Sequence, residues 1–225
     1  MITELVPAAV AAAWRLDDSE PVSLFPEEAA AVANAVDRRR REFSTVRLCA
    51  RLALSALGVP PVPLVPGQRG APRWPEGVAG SMTHCEGYRA AALARTADVW
   101  SLGIDAEPAG PLPEGVLDAV SRPGERRHLA ELGARRPDVA WDRLLFSAKE
   151  SVFKTWYPLA RRELGFEEAE VDFAPDGSGR AGTFTARLLV RGPVVGESRL
   201  ECLTGRWAAR DGLVLTAIVL PRQRS

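Results

Sequence analysis

Lysine is nearly absent from this chain of 225 residues, in which Lys149 and Lys154 are the only two and arginine supplies the rest of the 29 basic side chains. The basic side chains are balanced by 29 Asp and Glu, so no net charge favours nucleic acid as a partner. No apolar run approaches the ~20 residues of a membrane span. Both lysines lie in one segment, "FSAKESVFK". Because the chain uses arginine at every other basic position, the choice of lysine in this segment is informative.

Cysteine is also scarce. Cys49, Cys85 and Cys202 lie far apart and form no CxxC pair, which favours reduced, mostly buried thiols over disulfides or a zinc site. The apolar stretch near the N-terminus carries Glu4 in place of a basic leader region. We therefore expect a cytoplasmic protein, and 46% apolar with 26% charged residues is typical of a globular one.

The first half of the chain is predicted to be helices followed by a sheet. Apolar spacing indicates a helix over about residues 25–58 with one break near Arg41, and prolines and glycines then force a loop over 59–77. Three antiparallel strands are predicted next, at 78–83, 88–94 and 99–107. A second proline and glycine cluster predicts a boundary between two halves, residues 1–110 and 111–225.

The second half repeats this order. Two short helices are predicted before a long one over 138–160, which Pro158 should end. Strand-like runs close the chain at 183–190, 198–209 and 213–220, and "ARDG" suits a hairpin turn between the last two. Each half thus predicts helices followed by a three-strand meander, which indicates an α+β fold of two similar halves packed together.

Two carboxylates occur two residues apart in "GIDAEP". Side chains alternate along a strand, so Asp105 and Glu107 share one face while Ile104 and Ala106 face the core. Such a pair can hold Mg²⁺, which takes one or two protein carboxylates together with substrate phosphates. A solvated acidic strand end is the alternative that this motif alone leaves open.

Candidate phosphate ligands lie in two other segments. If the predicted strands run up, down and up, Thr83 and His84 come to the same end of the sheet as Glu107, where both can donate hydrogen bonds. Arg39 and Arg47 are about two helical turns apart on a similar face, and a guanidinium suits phosphate. A satisfied turn histidine and a solvated helix face are the alternatives.

The lysine at position 154 has two possible explanations, a helical ion pair and a contact with phosphate. Glu150 and Lys154 are four residues apart, a spacing that gives a helical ion pair worth ~0.2–0.5 kcal/mol. Arginine would serve about as well in that pair, whereas a compact ammonium acting on phosphate is a reason to keep lysine. Lys149 falls inside the apolar arc of the helix, between Phe153 and Trp156, where a charge is costly unless it meets an anion.

These segments together resemble a known family. "GIDAEP", followed about forty residues later by "FSAKESVFKTWYP", is similar to the paired signature G-[IV]-D-x-E and [FW]-[ST]-x-K-E-[SA]-x-x-K of the 4′-phosphopantetheinyl transferase superfamily. The segments "LFPEE", "RRREFSTVRLCARLALSALG" and "GSMTHCEGYRAAALA" resemble the branch with enterobactin synthetase component D, surfactin-synthetase-activating enzymes and actinobacterial enzymes. The likeness spans residues 24–166.

The resemblance implies a pseudo-twofold pair of α+β halves, each with helices on a small antiparallel sheet, and an active site in the cleft between them. It implies transfer of the 4′-phosphopantetheine arm of coenzyme A to a serine of an apo acyl or peptidyl carrier protein, with release of adenosine 3′,5′-bisphosphate. The carriers would serve polyketide, nonribosomal peptide or fatty-acid synthesis, and a monomer would suffice.

The family's Mg²⁺ ligands correspond to Asp105, Glu107 and Glu150. Lys154 and His84 match positions that contact the coenzyme A phosphates. Glu150 is also a candidate base for the serine proton, directly or through water.

The remaining assignments are also carried over by position. Thr83 lies beside the phosphate contacts, Arg39 and Arg47 match basic positions near the 3′-phosphate, and Arg69 matches a basic position in a loop whose length varies in the family. Lys149 is the rival base, and we expect its stem to pack against apolar side chains with its tip reaching the coenzyme.

Several choices stay open at the level of sequence. They are the carrier served, Mg²⁺ or Mn²⁺ as the metal, and which arginine of residues 38–41 meets the 3′-phosphate. Two other functions are also compatible with the residues: a non-catalytic module that binds coenzyme A or a carrier, and a metal-dependent phosphohydrolase acting on nucleotide diphosphates.

Overall fold

The fold is known from a computed structural model, which describes residues 1–67 and 70–222. Its helices are α1 (Pro26–Ala31), α2 (Asp37–Ala56), α3 (Val116–Val120), α4 (Pro123–Arg135) and α5 (Trp141–Ala160). Its strands are β1 (Val10–Arg15), β2 (Val78–Cys85), β3 (Tyr88–Arg95), β4 (Val99–Pro108), β5 (Ala169–Pro175), β6 (Ala181–Leu188), β7 (Val194–Val195), β8 (Ser198–Arg199), β9 (Cys202–Arg210) and β10 (Leu213–Pro221). Two single-turn 3₁₀ helices, Ile2–Glu4 and Phe166–Glu168, complete these elements. The α+β class predicted from the sequence is confirmed.

Two antiparallel sheets form the centre of the molecule, with strand orders β1-β3-β2 and β4-β10-β9-β6-β5. The helix α2 lies on the outer face of the three-stranded sheet and α5 lies on the five-stranded sheet. The inner faces of the two sheets meet in an alanine-rich core. Each sheet therefore carries one 20-residue helix on its outer side.

The strand β10 shows how these layers arise. Leu215 and Ala217 belong to the core between the two sheets, whereas Val214 and Ile218 belong to the core under α5. All four are almost inaccessible to solvent, so this strand is covered on both faces. An apolar run without polar alternation is typical of a strand that is buried in this way.

The prediction that the third strand completes an N-terminal meander is wrong. The strand β4 pairs with β10 of the five-stranded sheet instead. The central strand β3 already has β1 and β2 at its two edges, so it offers no edge to β4. Sequence analysis missed β1 because its "VAAAW" core lacks polar alternation. It also missed β5. The division at residue 110 stays a prediction.

Two helix details also differ from expectation. The break in the first helical region lies between α1 and α2, at residues 32–36 and not near Arg41, because Asp37 begins a new helix after an extended Val36. Pro158 does not end α5, which continues to Ala160 and closes with Arg161 in the left-handed conformation. Pro158 lacks the N–H that would bond to the carbonyl of Lys154, and only two helical residues follow it.

The predicted hairpin turn between the last two strands is present. Asp211 and Gly212 both have positive φ, the pattern of a tight hairpin turn between β9 and β10. Within residues 1–67 and 70–222, no helix has the length and apolar character needed to cross a membrane. Cys49, Cys85 and Cys202 are free thiols, although Cys202 is exposed and not buried as expected.

The contact between β4 and α5 is unusually close at Gly103. A Cβ at this position would collide with the carbonyl oxygen of Ser151 and lie 2.5 Å from Thr155 Oγ1. Ser101, two residues earlier on the same face, donates a hydrogen bond to the carbonyl of Thr155 at 2.8 Å. The helix therefore lies directly on the strand, and only glycine leaves room for its backbone.

We expect Gly103→Ala to lower the free energy of unfolding by about 1–3 kcal/mol, because the new methyl group must push α5 away from β4. Gly110→Ala is the matched control, since a Cβ there meets no atom within 4 Å and the change should stay within about 0.5 kcal/mol. Denaturant unfolding of both variants checks this. Equal midpoints for the two would contradict the close contact.

Candidate active site

The two carboxylates of "GIDAEP" project from the face of β4 that α5 covers. Ile104 and Ala106 face the core between the sheets, as the alternation predicted. On the opposite face, Lys154 Nζ of α5 donates to Asp105 Oδ1 at 2.7 Å and to the carbonyl of Ile104 at 3.2 Å. The two signature segments thus meet. The alternative ion pair between Glu150 and Lys154 is not found within the described part of the chain.

Asp105 is buried, with 4% of its surface exposed. Its Oδ1 accepts hydrogen bonds from Lys154 and from Thr83 Oγ1, the latter at 3.1 Å. Its Oδ2 is buried and has no hydrogen-bond partner among residues 1–67 and 70–222. An ionised oxygen without a partner is costly in such a place, and a bound cation would satisfy it.

Glu107 is held by an arginine that sequence analysis missed. Arg143 of α5 donates to Glu107 Oε2 at 3.2 Å and also to the carbonyls of Gly110 and Pro111. Burial and then the negative charge of Asp105 raise the pKa of Glu107, although Arg143 opposes them. Arg143 lies seven residues before Glu150, about two turns away on the same helix, and that spacing was a signal available in the sequence.

Glu150 is partly buried and makes no hydrogen bond within the part of the chain described. Burial raises its pKa; Asp105 raises it further, and Lys154 lowers it. Glu107 and Glu150 thus both lie within electrostatic reach of Asp105. The described residues do not hold three metal-ligating side chains already gathered in coordination geometry. The donor set nevertheless fits a hard cation such as Mg²⁺, because it consists of carboxylate oxygens and includes the unpartnered Oδ2 of Asp105.

His84 lies at the end of β2, next to Thr83 and thus near Asp105. Its Nε2 is 2.6 Å from Arg39 NH1, and its Nδ1 is 3.8 Å from Glu42 Oε2. Burial and then the charge of Arg39 lower the pKa of His84, although Glu42 opposes them. The structure therefore brings Arg39 to His84, while the arginine that meets the 3′-phosphate stays a prediction.

Glu42 is a second residue that sequence analysis missed. It is 7% exposed, and its Oε1 accepts from Arg38 at 3.0 Å and lies 3.6 Å from Arg89. Arg89 in turn forms a two-pronged pair with Asp18. The only signal in the sequence was that Glu42 directly follows four consecutive arginines in "DRRRREF". Glu42 thus anchors the basic face of α2 to the three-stranded sheet.

Arg47 is 7% exposed and holds the loop after α2. Its Nε donates to the carbonyl of Leu64 at 3.2 Å, and its guanidinium lies 3.2 Å from the ring centroid of Phe43. Burial lowers its pKa to about 10, an effect that Glu28 opposes and Arg39 strengthens. It is close to Arg39, as the helical spacing predicted, but part of its donor capacity serves the loop. Arg69 lies outside the described residues.

Lys149 does not join the cluster, because its ammonium is engaged elsewhere, and this argues against the predicted contact with the coenzyme. Its Nζ donates to Glu125 Oε2 at 2.9 Å and to the carbonyls of Phe166 and Ala169 at 2.7 and 3.1 Å. The side chain is 2% exposed, and burial lowers its pKa although Glu125 opposes this. All three ammonium hydrogens are used inside the C-terminal half, which leaves none for a substrate.

Two cavities border Glu150. The larger, about 820 Å³, lies between the loop after α2, the strand β2 and the helix α5, and both Glu150 and Lys154 line it. The smaller, about 210 Å³, is mainly apolar and is lined by Lys149, Glu150, Phe153 and Phe166 among others. Glu150 borders both, so a bound molecule could extend from one cavity to the other past this carboxylate.

The sequence of this chain is similar to those of known proteins. A family model described as the 4′-phosphopantetheinyl transferase N-terminal domain matches residues 27–94, and one described as the 4′-phosphopantetheinyl transferase superfamily matches residues 101–195. The chain is 64% identical to 4′-phosphopantetheinyl transferase Svp of Streptomyces mobaraensis, over 98% of this chain and 89% of the relative.

Two further relatives have similar coverage. The chain is 50% identical to 4′-phosphopantetheinyl transferase Npt of Nocardia iowensis, over 97% of this chain and 99% of the relative. It is 48% identical to 4′-phosphopantetheinyl transferase PptT of Mycobacterium tuberculosis, over 98% of each chain. With both family models and these full-length relatives in agreement, the chain belongs to the 4′-phosphopantetheinyl transferase superfamily, a family of enzymes.

Proposed function

We propose that this chain transfers the 4′-phosphopantetheine arm of coenzyme A to a serine of an apo acyl or peptidyl carrier protein in a Mg²⁺-dependent reaction. The observation that carries the metal-dependent part is the buried, unpartnered Oδ2 of Asp105 beside Glu107 and Glu150. Glu150 lines two cavities, and this carboxylate together with the unpartnered oxygen of Asp105 suits a metal and a long diphosphate substrate better than an ion-pair network alone. Carriers of polyketide, nonribosomal peptide or fatty-acid synthesis are the proposed partners.

In the proposed reaction the serine oxygen attacks the β-phosphorus of coenzyme A, and the phosphoanhydride bond to the α-phosphate breaks. Adenosine 3′,5′-bisphosphate leaves with the electron pair of that bond, and the serine proton passes to a base. Asp105, Glu107 and Glu150 would hold the Mg²⁺, which would neutralise the negative charge of the diphosphate. Manganese has similar oxygen preferences and stays an alternative.

The cations of the site have separate proposed roles. Lys154 would exchange its contact with Asp105 for the phosphates, while His84 and Arg39, already paired with each other, would approach the anionic substrate together. Arg47 would contribute its positive charge from behind Arg39 while it holds the loop. Arg69 stays a further candidate for the 3′-phosphate, because it matches a basic position of the family in sequence.

Glu150 is the proposed base, acting directly or through one water. It makes no protein hydrogen bond within the described residues, so its oxygens are open to a proton from the serine or from a water. Lys149 is no longer proposed for this role, because its ammonium is fully committed to Glu125 and two carbonyls.

A monomer in the cytoplasm completes the proposal. Both sheets and both long helices that surround the carboxylates come from this one chain, so no second copy is needed to assemble them. Three free thiols, one of them exposed, suit a reducing compartment.

Incubation with coenzyme A, Mg²⁺ and an apo carrier should add one phosphopantetheine mass to the carrier and release one adenosine 3′,5′-bisphosphate. Intact-mass spectrometry of polyketide, peptide and fatty-acid carriers from the same organism measures this. No addition to any carrier would contradict the proposal. Binding of coenzyme A without transfer would favour a non-catalytic module, and release of phosphopantetheine to water without a carrier would favour a phosphohydrolase.

We expect Asp105→Asn and Glu150→Gln to reduce turnover by at least about a hundredfold, because each removes charge that stabilises the diphosphate in the transition state. A chelator should abolish wild-type turnover, and excess Mg²⁺ should restore it. Glu131→Gln, at an exposed carboxylate of α4, is the control. Full activity of Asp105→Asn in limiting Mg²⁺ would refute its assignment as a metal ligand.

The two lysines of α5 should respond differently to substitution. Lys154→Gln should raise the KM for coenzyme A with the protein still folded, because the ammonium acts on phosphate. Lys149→Gln should destabilise the fold by about 3–5 kcal/mol, because Glu125 stays buried without its cation. Adding Glu125→Gln should recover part of that loss. A Lys149→Gln variant with the wild-type free energy of unfolding but reduced turnover would instead show that Lys149 takes part in the reaction.

A further inference from the structure

Thr83 has an unusual pair of hydrogen bonds. Its Oγ1 donates to Asp105 Oδ1 at 3.1 Å and accepts from the backbone N–H of Ala106 at 3.2 Å. The side chain is 4% exposed. A hydroxyl has one hydrogen, so donation to Asp105 leaves none for a substrate phosphate. This geometry differs from the phosphate contact that the sequence suggested.

The two oxygens of Asp105 are therefore not equivalent. Oδ1 is held by Thr83 and Lys154, whereas Oδ2 is buried and has no partner within the described residues. Fixing one oxygen fixes the plane of the carboxylate, and so fixes the direction in which the other oxygen points. Lys154 neutralises the charge of the Asp105 carboxylate. The Thr83 hydroxyl is neutral, so it orients the carboxylate and leaves its charge intact.

From this arrangement we infer that Thr83 is a positioning residue, which orients Asp105 so that Oδ2 can receive the metal ion after Lys154 has moved to the substrate phosphates. The inference rests on the proposed metal-dependent transfer and assigns Thr83 to the protein side of that site. The hydrogen bond from Ala106 has the same effect on the main chain, because it anchors β4 between the two carboxylates.

Ser81 provides a matched comparison. It lies two residues earlier on the same strand, and its Oγ accepts from the backbone N–H of Ile104 at 3.0 Å. Both hydroxyls thus bridge the edge strands β2 and β4, but Ser81 makes no hydrogen bond to a carboxylate within the described part of the chain. Loss of either hydroxyl leaves one buried β4 N–H unpaired, whereas only loss of the Thr83 hydroxyl releases Asp105.

The test measures Mn²⁺ binding to the full chain by electron paramagnetic resonance, without coenzyme A and with it. Thr83→Val should weaken Mn²⁺ binding by about 10–100-fold, as for other residues that orient metal ligands. Thr83→Ser should restore it, and Ser81→Ala should lower the melting temperature as Thr83→Val does but keep Mn²⁺ affinity near wild type. If Thr83→Val does not fold, Thr83→Cys should give an intermediate loss, because a thiol is a weaker donor.

Three results would overturn the proposed role of Thr83. Wild-type Mn²⁺ affinity in Thr83→Val overturns the inference, and a raised KM for coenzyme A in that variant would return Thr83 to direct phosphate contact. Equal weakening by Ser81→Ala also overturns it, since the effect would then belong to the strand. Failure of the wild-type protein to bind Mn²⁺ overturns the metal site and this inference together, and that failure is visible before any variant is made.

Discussion

The close approach of α5 to β4 is the constraint on which the site depends. Gly103 allows the helix backbone to lie on the strand, and a cluster of buried hydroxyls, Ser147, Ser151 and Thr216, joins the helix to β10 beside it. Thr216 is the register partner of Asp105, so this hydroxyl cluster lies directly next to the carboxylate. With the helix held there, Lys154 reaches Asp105 and Arg143 reaches Glu107. A shift of the helix outward would separate all of these pairs at once.

Electrostatic balance within the site follows from that contact. Each carboxylate of β4 is paired with a cation from α5, but neither pair removes all of its negative character. Asp105 retains an unpartnered oxygen, and the pKa of Glu107 stays raised although Arg143 is bound. The negative charge of Asp105 raises the pKa of Glu107, and a divalent cation relieves such neighbouring buried acids more effectively than a single ammonium, because two positive charges act on both acids.

Local patterns predicted much of the fold and of the site. The strands β2, β3 and β4, the helix α5 and the shared face of Asp105 and Glu107 all follow from periods of two and of 3.6 residues. Strand partners do not follow from such patterns, because pairing depends on which edge is free in three dimensions. The strand β1 was missed and it occupies the edge of β3, so the partner of β4 could not be predicted. Likewise Arg143 and Glu42 act across elements, and spacing within one element does not show such partners.

The presence of lysine at only two positions has a separate physical explanation at each of them. Lys149 meets three acceptors arranged around one nitrogen, Glu125 Oε2 and the carbonyls of Phe166 and Ala169. A tetrahedral ammonium donates to three such acceptors, whereas a planar guanidinium would need a wider space between α4, α5 and β5. Lys154 instead keeps 25% of its side chain exposed and holds Asp105 through one oxygen only. An arginine at this position could bind both oxygens of the carboxylate at once, and it would then compete with a metal for Oδ2. The lysine ammonium contacts one oxygen and leaves the second oxygen open.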